Sequence, residues 1–199
     1  EFMNLNVTNW SYSRIPELTA TTRNLYGTIA FATVLPAFFE TVELIRSIHL
    51  FDHNKLKKKH KISKALLHAM IGTGAIMFLL PLILPTYFYP LVWITFFFIL
   101  DPINYLHKQP SIIQHIKDRN LAIPLSLLAA GIVMGLFWEF WNYWAIPKWT
   151  YDIPFFGFFK IFEMPLLGYV GYFPFAFELY AMYFFIRSLF LKQEKLLVT

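Results

Sequence analysis

Apolar residues arrive in this chain as unbroken blocks, and the length of those blocks limits the folds open to it. A helix needs about 20 apolar residues to cross the hydrocarbon core of a bilayer. Five stretches reach or approach that length: Asn24–Ser47, Lys64–Leu84, Leu91–Leu106, Leu121–Trp144 and Ile161–Leu191. The third is crowded against the second, with Pro85 and Pro90 reading as a tight turn in "LPTYFYP". The last is long and interrupted by Pro165 and Pro174, so its opening "IPFFGFFKIFEMP" is expected to lie along the interface before the chain dives.

Composition excludes the soluble alternative. Hydrophobic residues make up 57% of the 199 residues and charged ones 15%, against about 45–50% and about 25% in soluble domains. The expected fold is therefore all-α, a single polytopic membrane bundle of about five spans over residues 1–199. With no cysteine, disulfides and thiolate metal sites are excluded. No signal-peptide pattern with a small-residue cleavage site opens the chain.

The net charge of +5 is distributed as a topology signal rather than as a nucleic-acid footprint. Thirteen of the 17 basic residues cluster in three places: Arg46 with Lys55 to Lys64, then Lys108, Lys117 and Arg119, then Arg187, Lys192 and Lys195. The positive-inside rule assigns loops 46–64 and 107–119 and the C-terminus to the cytoplasm. The N-terminus, the "PTYFYP" turn and the segment 145–156 are then expected to face outward. A bacterial inner membrane is the expected location. The run "KLKKKHKISK" also offers itself to anionic lipid.

Two distant stretches resemble each other. Glu1, Phe2 and Asn4 match Glu139, Phe140 and Asn142 at an offset of 138, which also carries Ile15-Pro16 onto Ile153-Pro154, Pro36 onto Pro174 and Glu40 onto Glu178. Trp10 and Tyr12 match Trp149 and Tyr151 after a one-residue slip. Four spans separate the matched points, so the copies run in the same direction, as parallel repeats do. The expected organisation is copy one at 1–62, linking spans at 63–120 and copy two at 121–199. Glu139 ends a span beginning near Leu121, whereas Glu1 has no such span before it. The chain is therefore expected to be an N-terminally truncated piece with at least one more span upstream; a stop codon just before Met3 would refute this.

Ionisable groups within apolar spans are costly and are functional candidates by default. Glu40, Asp101 and Glu178 fall toward the cytoplasmic half, and Glu139 and Glu163 toward the outer half. In each Pro-x-x-x-Glu element the proline is expected to kink the helix, freeing the carbonyls of Ala32 and Val170, and to present the acid beside a bend. Such an acid would protonate a hydrophobic substrate; the plainer reading has it hydrogen-bonding a neighbouring helix. Asp101, before Pro102, reads as a cap for the turn that follows, or as catalytic. Asn104 and Asn142 offer polar partners for the acids. The residues Trp10, Tyr12, Trp149 and Tyr151 read as an interfacial aromatic belt or as a substrate-binding rim, with Asn142 beside them. Glu43 is expected to emerge near Arg46. His49 and His53 form a His-x-x-x-His pair expected on one helix face, but the ligand count is too small for a dinuclear metal centre. Neither a metal nor a cofactor is expected.

The order Trp138-Glu139, Trp149-Thr150-Tyr151, Gly157 and Pro174 to Glu178 resembles the integral-membrane lycopene cyclase family and the related membrane carotenoid hydratases. In this chain the acid stands four residues after proline instead of two, and it is single. The resemblance implies a cofactor-free cyclase, isomerase or hydratase acting on an isoprenoid chain. Glu40 and Glu178 would then be proton donors, Glu139 their partner or base, and aromatic faces the stabilisers of a carbocation. The rival reading is a non-catalytic bundle: a proton-coupled small-solute transporter, or a structural subunit pairing with another membrane protein or with itself. Membrane lipid is a partner in either case.

Overall fold

The computed structural model describes residues 3–155 and 157–191, so the expectations for Glu1, Phe2, Lys192 and Lys195 lie outside the described residues. The chain is mostly helical. A short helix α1 (Asn4–Val7) and strand β1 (Trp10–Ser13) precede α2 (Ala20–Ala32) and α3 (Val34–Ser47). Next come α4 (Lys64–Ile83), α5 (Pro85–Phe88), a 3-10 turn (Tyr89–Trp93), α6 (Thr95–Leu106), α7 (Ile112–Lys117) and α8 (Ala122–Trp144). Strands β2 (Lys148–Tyr151), β3 (Lys160–Ile161) and β4 (Met164–Pro165), a second 3-10 turn (Leu166–Gly171) and α9 (Tyr172–Phe190) complete it. The short strands are an addition to the expected all-helical fold. They form two two-stranded ribbons, β1 with β2 and β3 with β4, both antiparallel.

Four helical stretches among the described residues are long and apolar enough to cross a membrane: Ala20–Ser47, Lys64–Ile83, Pro85–Leu106 and Ala122–Trp144. The expected fifth, Ile161–Leu191, is a ribbon, a 3-10 turn and then α9, whose 19 residues include Glu178 and Arg187. Where a tight turn is expected at "LPTYFYP" the chain makes helical turns instead, because Pro85 and Pro90 occupy the opening positions of α5 and of the 3-10 turn. Proline is favoured there, since its missing N–H would have no intrahelical acceptor.

Pro36 and Pro174 are each the third residue of their helix, α3 and α9. Each break precedes its proline by the turn that the ring would obstruct. Ala32 ends α2 before the Thr33 junction, and Val170 lies in the 3-10 turn before α9. The expected kink is thus realised as a junction between elements.

Helix α8 packs against both α3 and α9, and α6 against α4 and α9. The most buried apolar cluster joins Phe38 and Val42 of α3, Ile123, Leu127 and Ala130 of α8, and Ala176, Tyr180 and Phe184 of α9. Helix α2 buries no residue. The two ends differ in chemistry. At one, the β1–β2 ribbon meets the first 3-10 turn through Trp10 and Trp93, whose rings lie 5.5 Å apart. At the other, the basic loop is tied to the α7–α8 connection, with Leu56 N–H donating to the Arg119 carbonyl at 3.0 Å and Leu121 N–H to that of Asn54 at 3.0 Å.

Candidate functional site

Helix α8 carries Gly131, Gly135 and Glu139, four residues apart and therefore on one face. That face meets the start of α9. A Cβ on Gly135 would lie 2.5 Å from the Tyr172 ring, and one on Gly131 2.7 Å from the Tyr172 carbonyl oxygen. Without side chains there, the Tyr172 ring comes up against α8, and its hydroxyl donates to Glu139 Oε1 at 3.1 Å. Small residues at this spacing are how membrane helices come close enough for polar groups to meet.

Glu139 itself is fully buried. Its Oε1 also accepts from the Tyr151 hydroxyl at 2.6 Å and, more weakly, from Trp149 Nε1–H at 3.4 Å. The Trp149 N–H donates at 2.8 Å to the Tyr151 oxygen. The order is therefore directional: indole to Tyr151, Tyr151 to carboxylate, with Tyr172 entering from the other side. Oε2 has no partner among the described residues. Burial, ahead of its tyrosine and carboxylate neighbours, raises the Tyr151 phenol well above its ordinary range, so it keeps its proton.

An asparagine fixes each strand of the ribbon. Asn142, one turn beyond Glu139, accepts from Trp149 N–H at 2.9 Å and donates to the Trp149 carbonyl at 2.8 Å. Asn4 accepts from Trp10 N–H at 3.3 Å and donates to the Trp10 carbonyl at 2.8 Å. The strands then pair with Trp10 opposite Tyr151 and Tyr12 opposite Trp149.

Beyond Tyr151 and Tyr172 lies a cavity of about 400 Å3. Both tyrosines line it, together with Trp10, Trp93, Phe175 and Asn9. The Trp93 and Phe175 rings meet edge-on at 5.3 Å. A space of this size, largely apolar with a few convergent polar groups, has the character of a small-molecule site. Glu139 does not line it and reaches it only through the two phenols.

The other candidates are dispersed. Tyr12 is exposed and Trp149 stands behind Tyr151, so of the four aromatic residues expected at a rim only Trp10 and Tyr151 face the cavity. Glu178 is buried on α9 against α6, and its Oε2 has no hydrogen-bond partner among the described residues. Glu40, its counterpart on α3, is exposed. Asp101 accepts from Ile112 N–H at 2.7 Å and Ile113 N–H at 3.0 Å, so it caps α7 rather than the turn after itself. Asn104 turns its amide toward the Ala181 carbonyl at 2.9 Å, away from any acid. Glu163 pairs with Lys148 at 2.5 Å, and Glu43 with Arg46 at 3.5 Å as anticipated. His49 and His53 do not share a helix face: α3 ends at Ser47, His49 takes a left-handed conformation, and its ring bonds Asp52. No group of three metal-ligating side chains occurs among the described residues.

No protein-family model matches the chain, and neither a curated protein nor a solved structure resembles it significantly.

Sequence reasoning missed Tyr172, the glycine pair and Asn9. The spacing Gly131-x-x-x-Gly135 was the available signal for the first two. Asn9 offers none, being one polar residue in a loop. Its amide is buried with no hydrogen-bond partner among the described residues.

Proposed function

We propose that the chain is an integral membrane protein that admits a hydrophobic, isoprenoid-type molecule to the aromatic cavity and acts on it by acid catalysis. The observation carrying this reading is that two phenols of the cavity wall, Tyr151 and Tyr172, both donate to one buried carboxyl group, Glu139. When Glu139 is protonated, one phenol turns its O–H from Oε1 toward the cavity and accepts from the carboxylic acid, so that its own proton goes to a substrate double bond while the proton of Glu139 passes to the phenolic oxygen. This leaves a carbocation and a carboxylate. Loss of a proton from a neighbouring carbon, or capture of water followed by proton loss, returns the proton to Glu139. The faces of Trp93 and Phe175 stabilise the cation meanwhile. In this reading the donor role passes from Glu40 and Glu178 to Glu139, with Tyr151 and Tyr172 as relay.

The finer architecture belongs to the same proposal. Residues 1–62 and 121–199 are two copies of one unit. Supporting this are the matching Asn4 and Asn142 clamps, the matching positions of Pro36 and Pro174, and a ribbon in which Trp10 and Tyr12 face Tyr151 and Trp149. The basic end is cytoplasmic, following the charge bias, which puts the cavity in the outer half. The non-catalytic alternative has one observation in its favour: the bonds to Glu139 also tie α8, β2 and α9 together.

The test is expression in a host that accumulates lycopene or shorter polyenes, with the extracted pigments profiled. A new product lost in Glu139→Gln and reduced in Tyr151→Phe, but kept in Glu40→Gln, supports the assignment. An unchanged profile with the parent protein overturns catalysis on this class.

A further inference from the structure

The wall of the aromatic cavity holds a polar group that the relay to Glu139 does not use. Asn9 lines the cavity and is only 5% exposed, and neither the oxygen nor the nitrogen of its side chain has a hydrogen-bond partner among the described residues. Burying an amide without partners is costly, and native folds seldom keep one unmatched. The backbone beneath it is fully engaged: the Asn9 N–H donates to Asn4 Oδ1 at 3.0 Å, and the Asn9 carbonyl accepts from the Asp152 N–H at 2.8 Å. The amide is therefore carried on a fixed point, with its donor and its acceptor both unused. The phenols of the same wall are committed elsewhere. Tyr89 donates to the Pro154 carbonyl at 3.3 Å, and Tyr151 and Tyr172 donate to Glu139.

No aspartate, glutamate, lysine, arginine or histidine lines the cavity among the described residues. A phosphate, carboxylate or ammonium group would enter it without a counter-ion and lose its hydration. A plain hydrocarbon would leave both Asn9 atoms unmatched. A hydroxyl is neutral and both donates and accepts, so a single one accepts from Asn9 Nδ2–H while donating to Asn9 Oδ1. We propose that the cavity takes a hydrophobic alcohol, with its hydroxyl held by Asn9 and its chain against Trp93 and Phe175. This rests on the reading of the cavity as the site of an isoprenoid-type molecule, and it names that molecule's head group. Asn9 precedes Trp10, whose partner across the ribbon is Tyr151, so a hydroxyl held there sets which part of the chain meets the phenols.

The test reads binding apart from turnover, by displacement of tritiated farnesol from the full chain in lipid nanodiscs. The competitors share one chain and differ in the head: farnesol, its methyl ether, its diphosphate and the triene that lacks the oxygen. Farnesol is expected to bind about tenfold more tightly than the triene, a ratio within reach of one doubly bonded hydroxyl. The methyl ether, which only accepts, should fall between them, and the diphosphate should compete more weakly than farnesol. Asn9→Leu should bring farnesol down to the level of the triene and leave the triene's own affinity unchanged. Equal loss for both ligands would give Asn9 a merely structural role and overturn the assignment. Should that variant fail to fold, the parent series decides: equal affinity for farnesol and triene overturns the alcohol while the isoprenoid reading stands, and a diphosphate that binds tightest overturns the uncharged head. Absence of saturable farnesol binding would overturn the isoprenoid reading and the head group together. The expected series, with no product in the polyene-accumulating host, would remove catalysis alone.

Discussion

Asp101 and Glu139 are both fully buried acids in membrane-length helices, yet they are held in opposite ways. Asp101, toward the basic end, is bonded by two backbone N–H groups at the start of α7. Glu139, at the aromatic end, is bonded by three side-chain donors, two of them phenols that also wall a cavity. A backbone donor cannot leave without unwinding its helix, and it has no proton to pass on at ordinary pH. A phenol can rotate and exchange its proton. Burial alone therefore does not mark a reactive acid; the identity of the donors does.

The largest expected effect breaks or upholds that contrast directly. Asp101→Ala strips the acceptor from two buried N–H groups, and leaving each unsatisfied costs about 1–3 kcal/mol, so a loss of about 2 kcal/mol or more is expected. Glu139→Gln keeps an acceptor oxygen for the phenols and should cost about 1 kcal/mol while abolishing any product formation. Thermal unfolding in detergent measures both. The reverse order of stability would undo the distinction.

Acid should weaken the basic end first, through His115 of α7, which does not line the cavity. His115 bonds the Tyr180 hydroxyl at 3.0 Å, and burial, against Asp118 and with Arg46, lowers its pKa from 6.5 to about 4. The unfolded chain gains this proton as pH falls through 6.5, whereas the folded chain gains it only near 4. The stabilisation is therefore complete above that window and declines through it, at up to about 1.4 kcal/mol per pH unit. His115→Gln should flatten the slope in a pH series of unfolding midpoints. An unaltered slope would assign acid sensitivity elsewhere.

At the aromatic end the next effect is steric. Gly135→Ala sets a methyl group within 2.5–2.7 Å of the Tyr172 ring. Overpacking of this kind costs about 1–3 kcal/mol, and here it should also lift the Tyr172 hydroxyl from Glu139. Gly72→Ala, where a Cβ meets nothing within 4 Å, is the control. Equal stability of the two variants would show that α8 and α9 are not in such close contact.

Much of this was readable in advance, for identifiable reasons. Span positions follow from apolar block length, which needs no tertiary information. Asn142 and Tyr151 stood out because polar and amphipathic groups at a span's end have few places to go. Tyr172 did not, because its role exists only once α8 and α9 pack, and a tyrosine in an apolar run looks like filler. Asp101 was legible as a cap but not for which helix, since its donors come from beyond a loop eleven residues along. The histidine pair misled because spacing implies a shared face only while the helix lasts, and α3 stops before His49.

The smallest expected effects separate Glu40 from Glu178, which share a spacing from proline and little else. Both follow proline by four residues, in helices where that proline is the third residue. The same proline-to-acid spacing thus recurs in two helices, while neighbours decide what each acid does. Helix α6 covers Glu178, whereas Glu40 lies exposed on α3. Glu178→Ala empties a buried position between α9 and α6 and should cost about 1–3 kcal/mol. Glu40→Ala should stay within about 0.5 kcal/mol, as exposed substitutions generally do. If Glu40→Ala proves as damaging as Glu178→Ala, something covers the outer face of α3 in the membrane. The two acids would then be equivalent in setting as well as in spacing.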